Sequence, residues 1–137
     1  MINKVVVHFL DHHIERGYTT DFSPDKPLFH LIVKDNGNEK SLPIKISNLK
    51  AVFFVKELQG KSRARPVEKK TFNDIKEKKL FGKKVKVEFI DNEVLYGVTL
   101  GYSPKRQGFF FTPIDPESNN ERIFAVLNAV KNITFYE

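Results

Sequence analysis

The chain repeats itself. Lys4-Val-Val-Val-His-Phe-Leu-Asp11 lies over Lys84-Val-Lys-Val-Glu-Phe-Ile-Asp91, an offset of 80 residues. At the same offset Gly17, Thr19, Ser23, Pro24, Phe29 and Asp35 lie over Gly97, Thr99, Ser103, Pro104, Phe109 and Asp115. After a slip of one residue, Leu49-Lys-Ala-Val-Phe-Phe54 meets Val130-Lys-Asn-Ile-Thr-Phe135. Matches at one offset over such a length indicate a duplicated unit. A unit of about 55 residues buries little surface and is marginal alone, so packing of two copies, or oligomerisation, would ease that burden.

Each copy reads as strands. Val85, Val87 and Phe89 alternate with Lys86 and Glu88, the period of a half-buried strand. Asp91-Asn92-Glu93 is a turn, and Asp11-His12-His13 takes its place in the first copy. A second strand carries Val94, Tyr96, Val98, Leu100 and Tyr102 on one face, while Gly97 interrupts the other, as Gly17 does earlier. Glycine inside a strand marks a bulge or a sharp bend, which small barrels need in order to close. Phe109-Phe110-Phe111 is a short buried strand, Arg122 to Leu127 a fourth, and Val130 to Tyr136 a fifth. The last two are joined by Asn128-Ala129 alone.

The segment between the copies is different. Lys56 to Lys86 holds 12 Lys+Arg and 4 Asp+Glu, whereas the rest of the chain holds 11 basic and 13 acidic residues. Whatever the net charge of +6 implies about partners, it implies for the middle of the chain. Residues 58–70 read as a basic linker with Gly and Pro. Thr71 to Leu80 reads as a short helix, with Asp74 early, Lys78 and Lys79 late, and Gly82 after its end. The expected organisation is a first β unit over 1–57, the linker over 58–70, and the helix with the second β unit over 71–137.

A short helix, five bent strands and a tight final turn resemble the Sm-like barrel of Sm, LSm and Hfq proteins. Val85-x-Val87-x-Phe89-x-Asp91, Gly97, and Ile123-Phe-Ala-Val-Leu-Asn-Ala-Val130-x-x-Ile133 carry that resemblance. It implies a mainly β fold, two tandem five-stranded Sm-like small barrels with a short helix before the second. The chain is also similar to an uncharacterised bacterial family of tandem barrels with Phe-x-Asp, Phe/Tyr-Ser-Pro and a Pro-Glu-Ser-Asn-Asn-Glu-Arg loop. The base-holding residues of Sm and Hfq proteins do not carry over. Val126-Leu127 stand where Sm proteins have Arg-Gly, and Val126-Leu127-Asn128 where Hfq has Tyr-Lys-His.

Two binding surfaces follow. The basic group Lys61, Arg63, Arg65, Lys69, Lys70, Lys76, Lys78, Lys79, Lys83 and Lys84 would neutralise phosphates of RNA or another polyanion. Its bland alternative is a solvated linker and helix face. The polar loop with Asp115, Glu117, Asn119, Asn120 and Arg122 is a candidate for contact with a protein partner, its alternative being a plain connection. Exposed strand edges also allow a homo-oligomer. No phosphate-binding glycine loop, Ser/His/Asp order or His-Glu-x-x-His motif is present, so a non-enzymatic binding module is expected, with no cofactor. His12 and His13 are adjacent and there is no Cys, so no metal set is expected, and His8 is expected on a strand's polar face. No apolar run is long enough for a membrane span, and the absence of cysteine fits a cytoplasmic location.

Overall fold

A computed structural model describes residues 2–58, 82–115 and 117–136. Ten antiparallel strands form one open sheet in the order β10-β6-β7-β8-β9-β5-β1-β2-β3-β4. They are β1 (Asn3–Phe9), β2 (Ile14–Thr19), β3 (Leu28–Asp35), β4 (Asn38–Lys45), β5 (Leu49–Val55), β6 (Lys83–Phe89), β7 (Val94–Thr99), β8 (Gly108–Pro113), β9 (Asn120–Val126) and β10 (Val130–Tyr136). Single 3-10 turns at Ile46–Asn48 and Leu127–Ala129 lead into β5 and β10. The helix expected over 71–80 and the linker beyond Leu58 lie outside the described residues.

The two halves are built to the same registers. β1 meets β2 with Asn3 opposite Thr19, and β6 meets β7 with Lys83 opposite Thr99. The β1–β5 and β6–β10 ladders each slip by a residue at the equivalent place. His12 and Asn92 both take positive φ, 77° and 74°, in the two turns. Gly17 and Gly97 have a physical reason to lack a side chain. A Cβ would stand 2.3 Å from the Ile32 carbonyl oxygen in one case and 2.3 Å from that of Thr112 in the other. The backbone of the next strand lies too close to the glycine for any side chain to fit between them.

The inward face of the second strand is not the Val94-Tyr96-Val98 row. Gly97 and Thr99 are buried, Leu95 packs on the core, and Leu100 is 89% exposed beyond the strand end. Register explains this: Val85 and Val87 point inward, and their partners across the ladder are Gly97 and Leu95.

The halves join edge to edge. β5 pairs with β9, setting Ala51 against Ala125, Val52 against Phe124 and Phe53 against Ile123. At this seam the two faces of the sheet belong to two cores. One contains Val6, Ala51 and Phe53 together with Val85, Phe89, Phe109, Phe111 and Ile123. The other contains Val5, Phe29, Leu31, Val52 and Phe54 together with Phe124 and Val126. Each core draws residues from both halves, and every residue of β5 is buried. Phe22, partly buried, packs against the second cluster, edge-on to Phe29, Phe54, Phe110 and Phe124 at 5.1–6.0 Å between ring centroids. Such aromatic contacts add to the area that they bury.

Candidate functional site

Of the ten basic residues singled out in the sequence, Lys83 and Lys84 are described. Lys61, Arg63, Arg65, Lys69, Lys70, Lys76, Lys78 and Lys79 lie outside the described residues. Lys83 opens β6 with its ammonium 6.0 Å from the centre of the Phe135 ring. Because Val85, Val87 and Phe89 face the core, Lys84, Lys86 and Glu88 take the opposite face of β6. The neighbouring strands place aromatic rings on that face. Lys84 stands opposite Tyr136 on β10 and Val98 on β7, and Lys86 stands opposite Thr134 and Tyr96. Two lysines therefore alternate in register with two tyrosines across three strands. Ammonium groups of this kind neutralise phosphates, and aromatic faces stack bases. Lys86, Tyr96 and Tyr136 are not recognisable as a group in the sequence, because they are brought together by strand pairing alone.

The Asp115–Arg122 loop is tied into the fold. Asp115 Oδ1 accepts from the Glu117 N–H at 3.0 Å, and its carbonyl accepts from the Ser118 N–H at 3.0 Å. Asn119 grips the chain leaving β5: its Oδ1 accepts from the Glu57 N–H at 3.1 Å and its Nδ2 donates to the Glu57 carbonyl at 2.9 Å. The Asn119 carbonyl also accepts from the Lys56 N–H at 2.9 Å. Asn120 begins β9 opposite Val55. The Arg122 guanidinium lies over the rings of Phe54 and Phe110, at 4.3 and 4.5 Å. The loop's asparagine and arginine thus bind one half of the molecule to the other.

Charged groups also gather along the seam. Lys50 is 8% exposed on β5, lies 4.8 Å from the Phe89 ring centre, and donates to Asp91 at 2.8 Å and to Glu93. Burial pushes the Asp91 carboxyl up, but bonds from Lys50 and from the Glu93 N–H outweigh it, so its pKa falls below the ordinary value. Phe9, Leu10, His12, Lys50, Ile90, Asp91 and Ala129 line a cleft of about 160 Å³ here. A second cleft of about 250 Å³ includes His8, Arg16, Phe53, Glu93, Asn119 and Asn120. His8 is not on a polar face as expected. Its ring lies 4.5 Å from that of Phe53, because the far side of β1 is covered by the other half's core. Burial and the nearby Lys50 charge lower its pKa. His13 hydrogen-bonds Asp11 and Glu15, and His30 bonds Asp21 at 2.7 Å. Among the described residues no group of three or more His, Asp or Glu side chains is placed to hold a metal. None of the helices described is long and apolar enough to cross a membrane.

No curated protein and no solved structure gives a significant match to this chain. Residues 1–136 match the model of a family of unknown function, DUF6982. With that match running over nearly its whole length, the chain belongs to the DUF6982 family.

Proposed function

We propose that the chain is a non-enzymatic nucleic-acid-binding module, made of two duplicated Sm-like small barrels. Equal registers, equivalent glycine corners and matching positive-φ turns in the two halves support the duplicated reading. The binding reading rests on one observation above all: the lysine density of residues 56–86 runs into β6, where Lys84 and Lys86 alternate in register with Tyr136 and Tyr96. Binding would be electrostatic and weakly sequence-dependent, because the chain lacks the base-holding residues of the Sm and Hfq patterns.

Fluorescence anisotropy of labelled single-stranded RNA and DNA over a salt series tests this reading. The logarithm of the affinity should fall linearly with log salt. The Lys84→Glu/Lys86→Glu variant should bind more weakly, with a slope shallower by about 0.7 for each phosphate that it no longer neutralises. Absence of binding by the native chain at low salt would refute the reading. A protein-interaction adaptor is the second reading. The open edge of β10 favours it, while the Asp115–Arg122 loop offers less, since Asn119 is engaged with Glu57.

A further inference from the structure

β5 and β10 occupy the same place in the two halves. Val52 and Phe54 face Val7 and Val5, as Ile133 and Phe135 face Val87 and Val85. On its other side β5 carries β9, whereas among the described residues nothing pairs with the outer edge of β10. Among the described residues the sheet therefore has two edges that no strand pairs, β10 and β4, and they differ chemically.

β4 is blunted. Its hairpin turns at Asn36-Gly37, with φ of 52° and 84°, and closes with Asp35 opposite Asn38. In a two-residue turn of this type the closing pair exchanges hydrogen bonds, and the pattern then alternates along the ladder. Leu42 and Ile44 consequently direct their backbone groups to β3, and Pro43 directs its nitrogen to the open side. The bond from the Ile46 N–H to the Pro27 carbonyl, 2.9 Å, keeps the same parity. An edge that lacks a donor at that position resists strand addition.

β10 has no such block. The Leu127 N–H donates to the Gln107 carbonyl at 2.9 Å, so Ala125 and Ile123 point to β8, leaving Phe124 and Arg122 to bond Val52 and Phe54 of β5. By equivalence, the backbone groups of Ile133 and Phe135 point to the open edge. Beside them Phe135 and Tyr102 are each 39% exposed, with ring centroids 5.5 Å apart.

We propose that the β10 edge pairs antiparallel with β10 of a second copy of this chain, about a two-fold axis at Thr134. The register follows from the bulge between Val130 and Asn132, which leaves the regular run Asn132–Tyr136 with Thr134 at its middle. Ile133 and Phe135 then exchange backbone bonds with Phe135 and Ile133 of the other copy, and the Phe135–Tyr102 pair is covered. The contact is isologous, so it closes at two copies. The blunted β4 edge keeps the dimer from extending into a filament. This assembly is independent of nucleic-acid binding.

Sedimentation velocity of the full chain over a concentration range tests it, with a dimer as the expected species. Because the chain contains no cysteine, Thr134→Cys places a single thiol at the axis. Non-bonded antiparallel partners lie about 4.5 Å apart at Cα, within disulfide reach, so this variant should cross-link on oxidation. Phe135→Pro, which removes an outward donor, and Phe135→Lys should both sediment as monomers with an unchanged circular dichroism spectrum. A native monomer throughout the range overturns the proposal. So does a dimer that survives both Phe135 variants, or one that is cross-linked by Ser41→Cys on β4 and not by Thr134→Cys.

Discussion

Lys50 in the first half donates a 2.8 Å hydrogen bond to Asp91 in the second, joining residues 41 apart in sequence. The ammonium is nearly buried, so the bond has little water to compete with it. Lys131, its counterpart near the open end of the sheet, makes a looser 3.8 Å pair with Glu88 and is half exposed.

Lys50→Met should therefore destabilise the whole molecule. It strands Asp91 and Glu93 beside an apolar surface, at a cost of about 2–3 kcal/mol given their partial exposure. Lys131→Met should change stability by less than about 1 kcal/mol, as surface pairs do. Chemical denaturation of the two variants makes the comparison. Equal losses would mean that the seam pair has no special weight.

His8 gives the protein a pH dependence of known sign. Its folded pKa lies below 6.5, mainly through burial, so between the two values the unfolded chain binds more protons. Stability should be full above pH 6.5 and decline as pH falls below it. His8→Phe should remove this slope, leaving the loss from Asp11, Asp21 and Asp91, which begins only as pH falls toward the ordinary carboxylate value of 3.8. Denaturation midpoints measured across that range would show it. An unchanged slope in the variant would assign the effect elsewhere.

Gly97→Ala should cost about 1–3 kcal/mol, because the new methyl would press on the Thr112 carbonyl at 2.3 Å and on the Phe111 ring at 2.7 Å. Gly101→Ala is the control, since nothing lies within 4 Å of a Cβ there. Thermal melts of both variants suffice. Equal melting temperatures would mean that the corner can relax.

Asn119→Ala should cost about 1–2 kcal/mol by leaving the Glu57 amide and carbonyl without their partners. Hydrogen exchange should quicken at Glu57 and in the loop after Asp115. Exchange that stayed at the native rate would show that the loop is held by other contacts.

Much of the local structure is legible in the sequence. Val85-Lys-Val-Glu-Phe89 announces a strand by its alternation, and β10 spans Val130–Tyr136, the bounds that its sequence suggests. Gly17 and Gly97 stand out as glycines within strands, and what excludes a side chain there is the carbonyl of the next strand. Asn36-Gly37 is a hairpin signal that the repeat alignment passes over, because the second half has no counterpart to it. The seam has a signal too. Leu49-Lys-Ala-Val-Phe-Phe-Val55 is apolar at nearly every position, the pattern of a strand buried on both faces, whereas Val130-Lys-Asn-Ile-Thr-Phe-Tyr136 alternates.

The sequence by itself determined the residue matches at an offset of 80, the strand pattern of much of the second half with its turns, and the basic character of the middle of the chain. These depend on periodicity, turn chemistry and composition, which act over a few residues. Only the tertiary structure decided that β5 pairs with β9, that each core takes residues from both halves, and that Lys84 and Lys86 lie beside Tyr136 and Tyr96. Those outcomes depend on which distant strands bury the most apolar surface together. That free energy belongs to pairs of segments far apart in the chain, and no local pattern encodes it.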